Sequence, residues 1–140
     1  MQSRTMFVVK DVEASARWYA QLLDAQTPHG GKYFEMIMKD ENVLLFLHHS
    51  DPQEHPAIVA PGEGSAGAGV LVYFEVDNPD AVFACAQTLG AELLDEPHIN
   101  DLAHQYEFSV RDPDGYALTI YRRATAEELA GADSSESWQS

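Results

Sequence analysis

The side chains able to do acid–base or metal chemistry are few and scattered through this sequence. It holds six histidines and one cysteine. His48 and His49 are adjacent, so on a strand they point to opposite faces, one solvated and one at a cavity mouth. His104 stands three residues before Glu107 at the start of a strand. A histidine that titrates near neutral pH beside bound substrate suits general acid–base work, although a surface position is its ordinary role. Cys85 lies in mid-helix among Phe83, Ala84 and Ala86. A nucleophilic thiolate needs a base or a helix N-terminus beside it, so Cys85 reads as a small packing residue. A lone cysteine excludes an internal disulfide and a Cys-based zinc site, and it fits a reducing, cytoplasmic compartment. His29, His55 and His98 sit next to Pro or Gly in loops and carry no usable spacing.

Charge narrows the partners. Acidic residues number 23 against 8 Lys and Arg, for a formal charge of -15. Such a chain repels nucleic-acid phosphates and anionic membrane surfaces and admits a neutral or cationic small molecule. Hydrophobic residues at 45% and charged residues at 22% are ordinary globular composition, which argues against wholesale disorder. No secretory signal is read after Met1-Gln2-Ser3-Arg4-Thr5, and no stretch approaches the roughly 18 apolar residues of a membrane span.

The elements that must position these residues come in the same order twice. Met6 to Val9 reads as a strand, and Asp11 caps a helix from Val12 to Asp24. In that helix Ala14, Trp18 and Leu22 form one stripe, with Ser15, Tyr19 and Leu23 beside it. Tyr33 to Lys39 and Val43 to His48 make a hairpin. Then Gly69 to Val76 is a strand, Asn78-Pro79 opens a helix over Ala81 to Leu89, and Gly90 ends it. Ala91 to Leu94 is a further strand. Tyr106 to Val110 and Tyr116 to Tyr121 form a hairpin around Asp112-Pro113-Asp114-Gly115. The halves also match in letters: Phe34-Glu35-Met36-Ile37-Met38-Lys39-Asp40 resembles Tyr106-Glu107-Phe108-Ser109-Val110-Arg111-Asp112. Neither half can bury a sheet alone, whereas two side by side can. Ser50 to Ala68 is a Pro-, Gly- and Ala-rich link whose glycines lack the Lys of a phosphate loop. Thr125 with Glu128 forms a capping box for a short last helix, and disorder is expected beyond Gly131.

Two segments resemble the vicinal oxygen chelate superfamily of glyoxalases, extradiol dioxygenases and bleomycin resistance proteins. Val9-Lys10-Asp11-Val12-Glu13-Ala14-Ser15-Ala16-Arg17-Trp18-Tyr19 is similar to the family's opening, and Glu107 to Tyr116 is similar to its strand leading into Asp-Pro-Asp-Gly. The resemblance implies an α+β fold of two βαβββ modules forming a curled mixed sheet around one cavity. It implies a single domain over residues 1–123, with module one at about 4–50, a linker at 51–68 and module two at 69–122. A short helix and disordered tail follow at 124–140. It also implies a homodimer, since exposed strand edges tend to be covered by pairing.

In metal-using members, His or Glu ligands come from the first and last strand of each module. Here those positions fall at Arg4, Leu45, Leu71 and Thr119, and a slip by one to Thr5, Leu44, Val70 or Leu118 is no better. A cation, two leucines and a threonine cannot replace a His/Glu set. No metal or cofactor is therefore expected, and no catalytic residue is assigned. The expected ligand site is Arg4, Met6, Leu47, His48, Leu71, Tyr73, His104, Thr119 and Tyr121. Tyr73 and Tyr121 enter by counting in twos from Leu71 and Thr119. Trp18-Tyr19 is assigned to the core. Two functions compete. One is a metal-independent protein that binds or sequesters a small molecule. The other is a glyoxalase-type lyase or dioxygenase whose metal is held by non-standard ligands. Arg4 separates two ligand classes. Paired or outward, it leaves the acidic surface to favour a cationic ligand. Inward and unpaired, it calls for an oxygen anion or carbonyl.

Overall fold

Local signals set the first helix. Asp11 accepts the Ala14 amide at 3.0 Å, and the chain leaves the helix at Asp24 in the left-handed region, with φ 51°. A computed structural model describes residues 1–50 and 69–135, with side chains to Gly131. The elements are β1 (Met6–Val8), α1 (Val12–Leu23), β2 (Phe34–Lys39), β3 (Asn42–His48), β4 (Leu71–Glu75), α2 (Pro79–Thr88), β5 (Glu92–Asn100), β6 (Gln105–Arg111), β7 (Ala117–Arg123) and α3 (Ala126–Ser135). They fall into two compact units divided between Ala68 and Gly69, and Pro113–Gly115 belongs with the first. No helix among the described residues is long and apolar enough to cross a membrane.

The first unit is a sheet in the order β1-β3-β2, with β1 parallel to β3 and β2 antiparallel to it. One face buries Phe7, Ile37, Leu45 and Leu47 against α1, whose Val12, Ala16, Tyr19, Leu22 and Leu23 are themselves buried. Tyr19 is wholly enclosed, and half-buried Trp18 meets its ring edge-on at 5.0 Å. Leu47, expected to line a pocket, is thus a core residue, and so is Leu45. Both belong to the helix-covered parity of β3, while Phe46 takes the other face. Only three strands form here among the described residues. Where the fourth strand of a βαβββ module would run, Gln26 makes a single antiparallel bridge to Met38, with N–O distances of 2.7 and 2.8 Å.

The second unit has the full βαβββ order, arranged β4-β7-β6-β5 with β4 parallel to β7. Asn78 accepts the Ala81 amide at 3.3 Å, Pro79 follows as the first helical residue, and Gly90 takes φ 69° beyond the end of α2. The α2-covered face buries Phe74, Phe108, Val110, Leu118 and Ile120, and the Phe83 ring stands 5.2 Å from that of Phe108. Strand β5 is longer than the expected Ala91 to Leu94 segment. It runs through Pro97 because two register irregularities let it bend past a residue without an amide hydrogen.

The capping box of α3 forms as expected. Thr125 donates its amide to Glu128 at 2.9 Å, and the Glu128 amide donates to Thr125 Oγ1 at 3.1 Å. The helix continues past Gly131 to Ser135, where disorder was expected, and the rest of the tail lies outside the described residues. Arg122 ties the helix to the sheet. It makes two 2.8 Å bonds to the Glu128 carboxylate and stacks 4.6 Å over the Tyr106 ring, whose hydroxyl donates to Asp80. The Arg122 hydrogen bonds and the Thr125 amide hold the Glu128 carboxyl down at about 2. A folded-state value below the ordinary carboxylate range means the stabilisation is complete above about pH 4.5 and is lost as pH falls toward 2. Acid titration of the α3 amides should therefore show the helix undocking in that window. Glu128→Gln should undock it at neutral pH, at a cost of about 1 kcal/mol for this partly exposed pair. Equal amide protection in the variant and the wild type at pH 7 would count against this account.

Candidate functional site

The face of the second sheet that α2 leaves uncovered carries aromatic and acidic side chains in cross-strand rows. Register places Tyr73 beside Thr119, and Thr119 beside Ser109. The next row is Glu75, Tyr121, Glu107 and His98. Tyr73 and Tyr121 meet edge to face with centroids 5.7 Å apart. The Tyr121 hydroxyl donates to Glu75 at 3.4 Å, and burial, followed by the Glu75 charge, pushes its pKa up. Thr119 and Ser109 are buried and share a 2.8 Å hydrogen bond. Glu107 is only 6% exposed, yet among the described residues its one hydrogen bond is from Asn100 Nδ2, at 3.5 Å. His98 lies 3.6 Å from Asp95 and has Nδ1 2.7 Å from the Glu96 carbonyl oxygen. Aromatic rings beside carboxylates suit a flat cation.

The expected site residues are dispersed differently. Leu71, Tyr73, Thr119 and Tyr121 do share this face, and Leu71 and Tyr73 are 44% and 48% exposed. Arg4 precedes β1 and is exposed, its guanidinium donating to Gln2 Oε1 at 2.6 Å and to the Ser3 carbonyl at 3.2 Å. Met6 lies on the uncovered face of the first sheet, in register with Phe46. His48 is buried, with its ring 6.2 Å from that of Phe34. The rings of His48 and His49 stack at 5.1 Å rather than pointing apart, because β3 ends at His48 and strand alternation goes no further. His104 sits exposed in a left-handed turn, φ 59°, with its carbonyl bound by the Ala124 amide. The histidine opposite Glu107 is instead His98, which the preceding Pro97 disguises as a loop residue. Glu75 was within reach of the sequence, one further step of two beyond Tyr73. His55 lies outside the described residues.

The metal position that the resemblance implies falls on residues that do not fit it. Arg4, Leu71 and Thr119 supply no pair of His or carboxylate ligands, and the β3 alternatives Leu44 and Phe46 are apolar. Among the described residues no three His, Cys, Asp or Glu side chains stand close enough to hold a metal ion.

The two motif segments of the sequence meet in the first unit. Asp114, from the Asp-Pro-Asp-Gly turn, accepts the Lys10 amide at 3.0 Å and the Ser15 hydroxyl at 3.3 Å. The profile of the Glyoxalase/Bleomycin resistance protein/Dioxygenase superfamily matches residues 2–120. The chain belongs to that superfamily. The chain is similar to the anthracycline biosynthesis protein DnrV of Streptomyces peucetius, 27% identical over 138 residues. That match takes in 91% of this chain and 50% of DnrV, so the chain spans about half the length of the curated relative. A glyoxalase/bleomycin resistance protein/dioxygenase family enzyme from Burkholderia phytofirmans PsJN superposes with a TM-score of 0.68 at 18% identity, covering 86% of this chain and 97% of that one. TioX from Micromonospora sp. ML1 gives 0.64 at 15% identity, covering 90% and 98%. These likenesses establish the superfamily's fold. Its chemistry resides in the site rather than in the fold.

Proposed function

We propose that this chain is a metal-independent binding protein that holds a flat, cationic small molecule against the Tyr73–Tyr121 face of the second sheet. The observation that carries the reading is the pairing of Tyr73 with Tyr121, whose row also holds Glu75 and Glu107 on either side of Tyr121. Outward, hydrogen-bonded Arg4 supports the cationic branch over the anionic one, and so does the formal charge of -15. The name of the S. peucetius relative adds a ligand class, since anthracyclines are planar aromatic molecules that carry amino sugars. We further propose a cytoplasmic homodimer without nucleic-acid or membrane partners, in which a second copy stands for the other half of the longer relative.

One preparation tests these points. Elemental analysis should find no stoichiometric metal, and light scattering should give the dimer mass. A cationic anthracycline at about a hundred times its Kd should add about 2.7 kcal/mol, raising Tm by roughly 10 °C. About one zinc, iron, manganese or nickel per chain, lost on His48→Ala, would favour the lyase or dioxygenase reading. No thermal shift with the anthracycline would remove the proposed ligand class.

A further inference from the structure

Glu107 and Glu35 are both buried, and they are satisfied very differently. Glu35 is 2% exposed and accepts the amides of His29, Gly30 and Met36 at 2.8, 2.5 and 2.8 Å. That is the usual condition of a buried carboxylate, which can take up to about four donors and is costly to leave short of them. Glu107 at 6% exposure has only the 3.5 Å Asn100 amide among the described residues. Two residues earlier on the same face of β6, the Gln105 Oε1 atom is buried with no hydrogen-bond partner among the described residues. Among the described residues, one of two neighbouring acceptors on this face thus has a single long hydrogen bond and the other has none. The nearby cation in register with Gln105 is Arg123, which is exposed and makes no hydrogen bond to either acceptor. Arg111 on that face is engaged by Glu92 at 3.4 Å.

We infer that Glu107 and Gln105 form the subsite for a protonated amine, with the Tyr73–Tyr121 pair taking the aromatic body attached to it. An alkylammonium group brings three N–H donors and one positive charge, which matches one carboxylate and one amide oxygen. Glu75, at the far end of the same row, supplies a second negative charge from an exposed position. The inference rests on the proposed binding of a cationic aromatic molecule, and it names the atoms that read the charge.

The test is a titration of the full chain with two probes, a cationic anthracycline glycoside and its N-acetyl derivative. Acetylation removes the positive charge and keeps the rings. The wild type should bind the amine at least about tenfold more tightly, as expected for a desolvated charge pair. Glu107→Gln, which keeps shape, should reduce that preference to within about twofold while leaving the N-acetyl probe bound. Glu75→Gln, an exposed change that cannot unfold the core, should reduce it about threefold. Equal affinity for both probes in the wild type overturns the amine subsite and leaves the aromatic binding face standing. The same holds for a preference that survives Glu107→Gln. If neither probe binds, the ligand class and the subsite fall together.

Discussion

Replacing Glu35 by alanine should destabilise the chain by roughly 3 kcal/mol or more, although no ligand need be near it. The carboxylate lies on the helix-covered face beside Leu47, its register partner, and three backbone amides point at it. Removing it leaves those donors without an acceptor and opens a void among Ile37 and Leu47. The His29 and Gly30 amides lie in the turn before β2 and can recover water if the turn opens, so part of the cost should appear as loosening there. Glu35→Gln keeps an acceptor of the same shape and should lose about 1–2 kcal/mol. Urea unfolding monitored at constant slope gives the values directly. A Glu35→Ala protein within about 0.5 kcal/mol of the wild type, inside the surface-substitution range, would show that the carboxylate is incidental.

Phe108→Ala should cost about as much or more, roughly 3–5 kcal/mol, because the ring is wholly buried under α2. Its edge contact with Phe83 at 5.2 Å makes the effect partly shared. A double-mutant cycle with Phe83→Ala should recover a coupling of about 0.5–1.5 kcal/mol. Additive single effects would mean that α2 is held by its other contacts, not by this ring pair.

Local devices were legible in the letters because they are decided within four residues. Asp11, Asn78, Thr125 with Glu128, and Gly90 all act as read. Register was harder, since it is set by pairing with distant residues. The repeat aligned Glu35 with Glu107. In the sheets Glu35 faces α1 beside Leu47, while Glu107 faces away from α2 beside Tyr121. A one-residue slip in the letters exchanges the faces of every side chain. The same parity error placed Leu47 in a pocket and Leu45 at a ligand position. On β4 and β7 the step of two worked, because neither strand has an irregularity over the paired stretch. On β5 it could not work. Its two irregularities and Pro97 hide a nine-residue strand, and with it the position of His98 opposite Glu107.

The lone Gln26–Met38 bridge has a bearing on aggregation. An outer strand with free amides is a template for adding another chain, and repeated addition makes ribbons. Along β2 the outward amide of Met38 is taken by Gln26, and that of Met36 by the Glu35 carboxylate. A side chain and one bridge thus do the blocking that a whole strand does in the other unit. There the outer strand β5 carries its own stop, since Pro97 has no amide hydrogen to offer. Both antiparallel margins thus carry a local obstacle to strand addition. The Glu35→Ala protein, which frees the Met36 amide, should then be the variant most prone to form thioflavin-positive fibres as it unfolds.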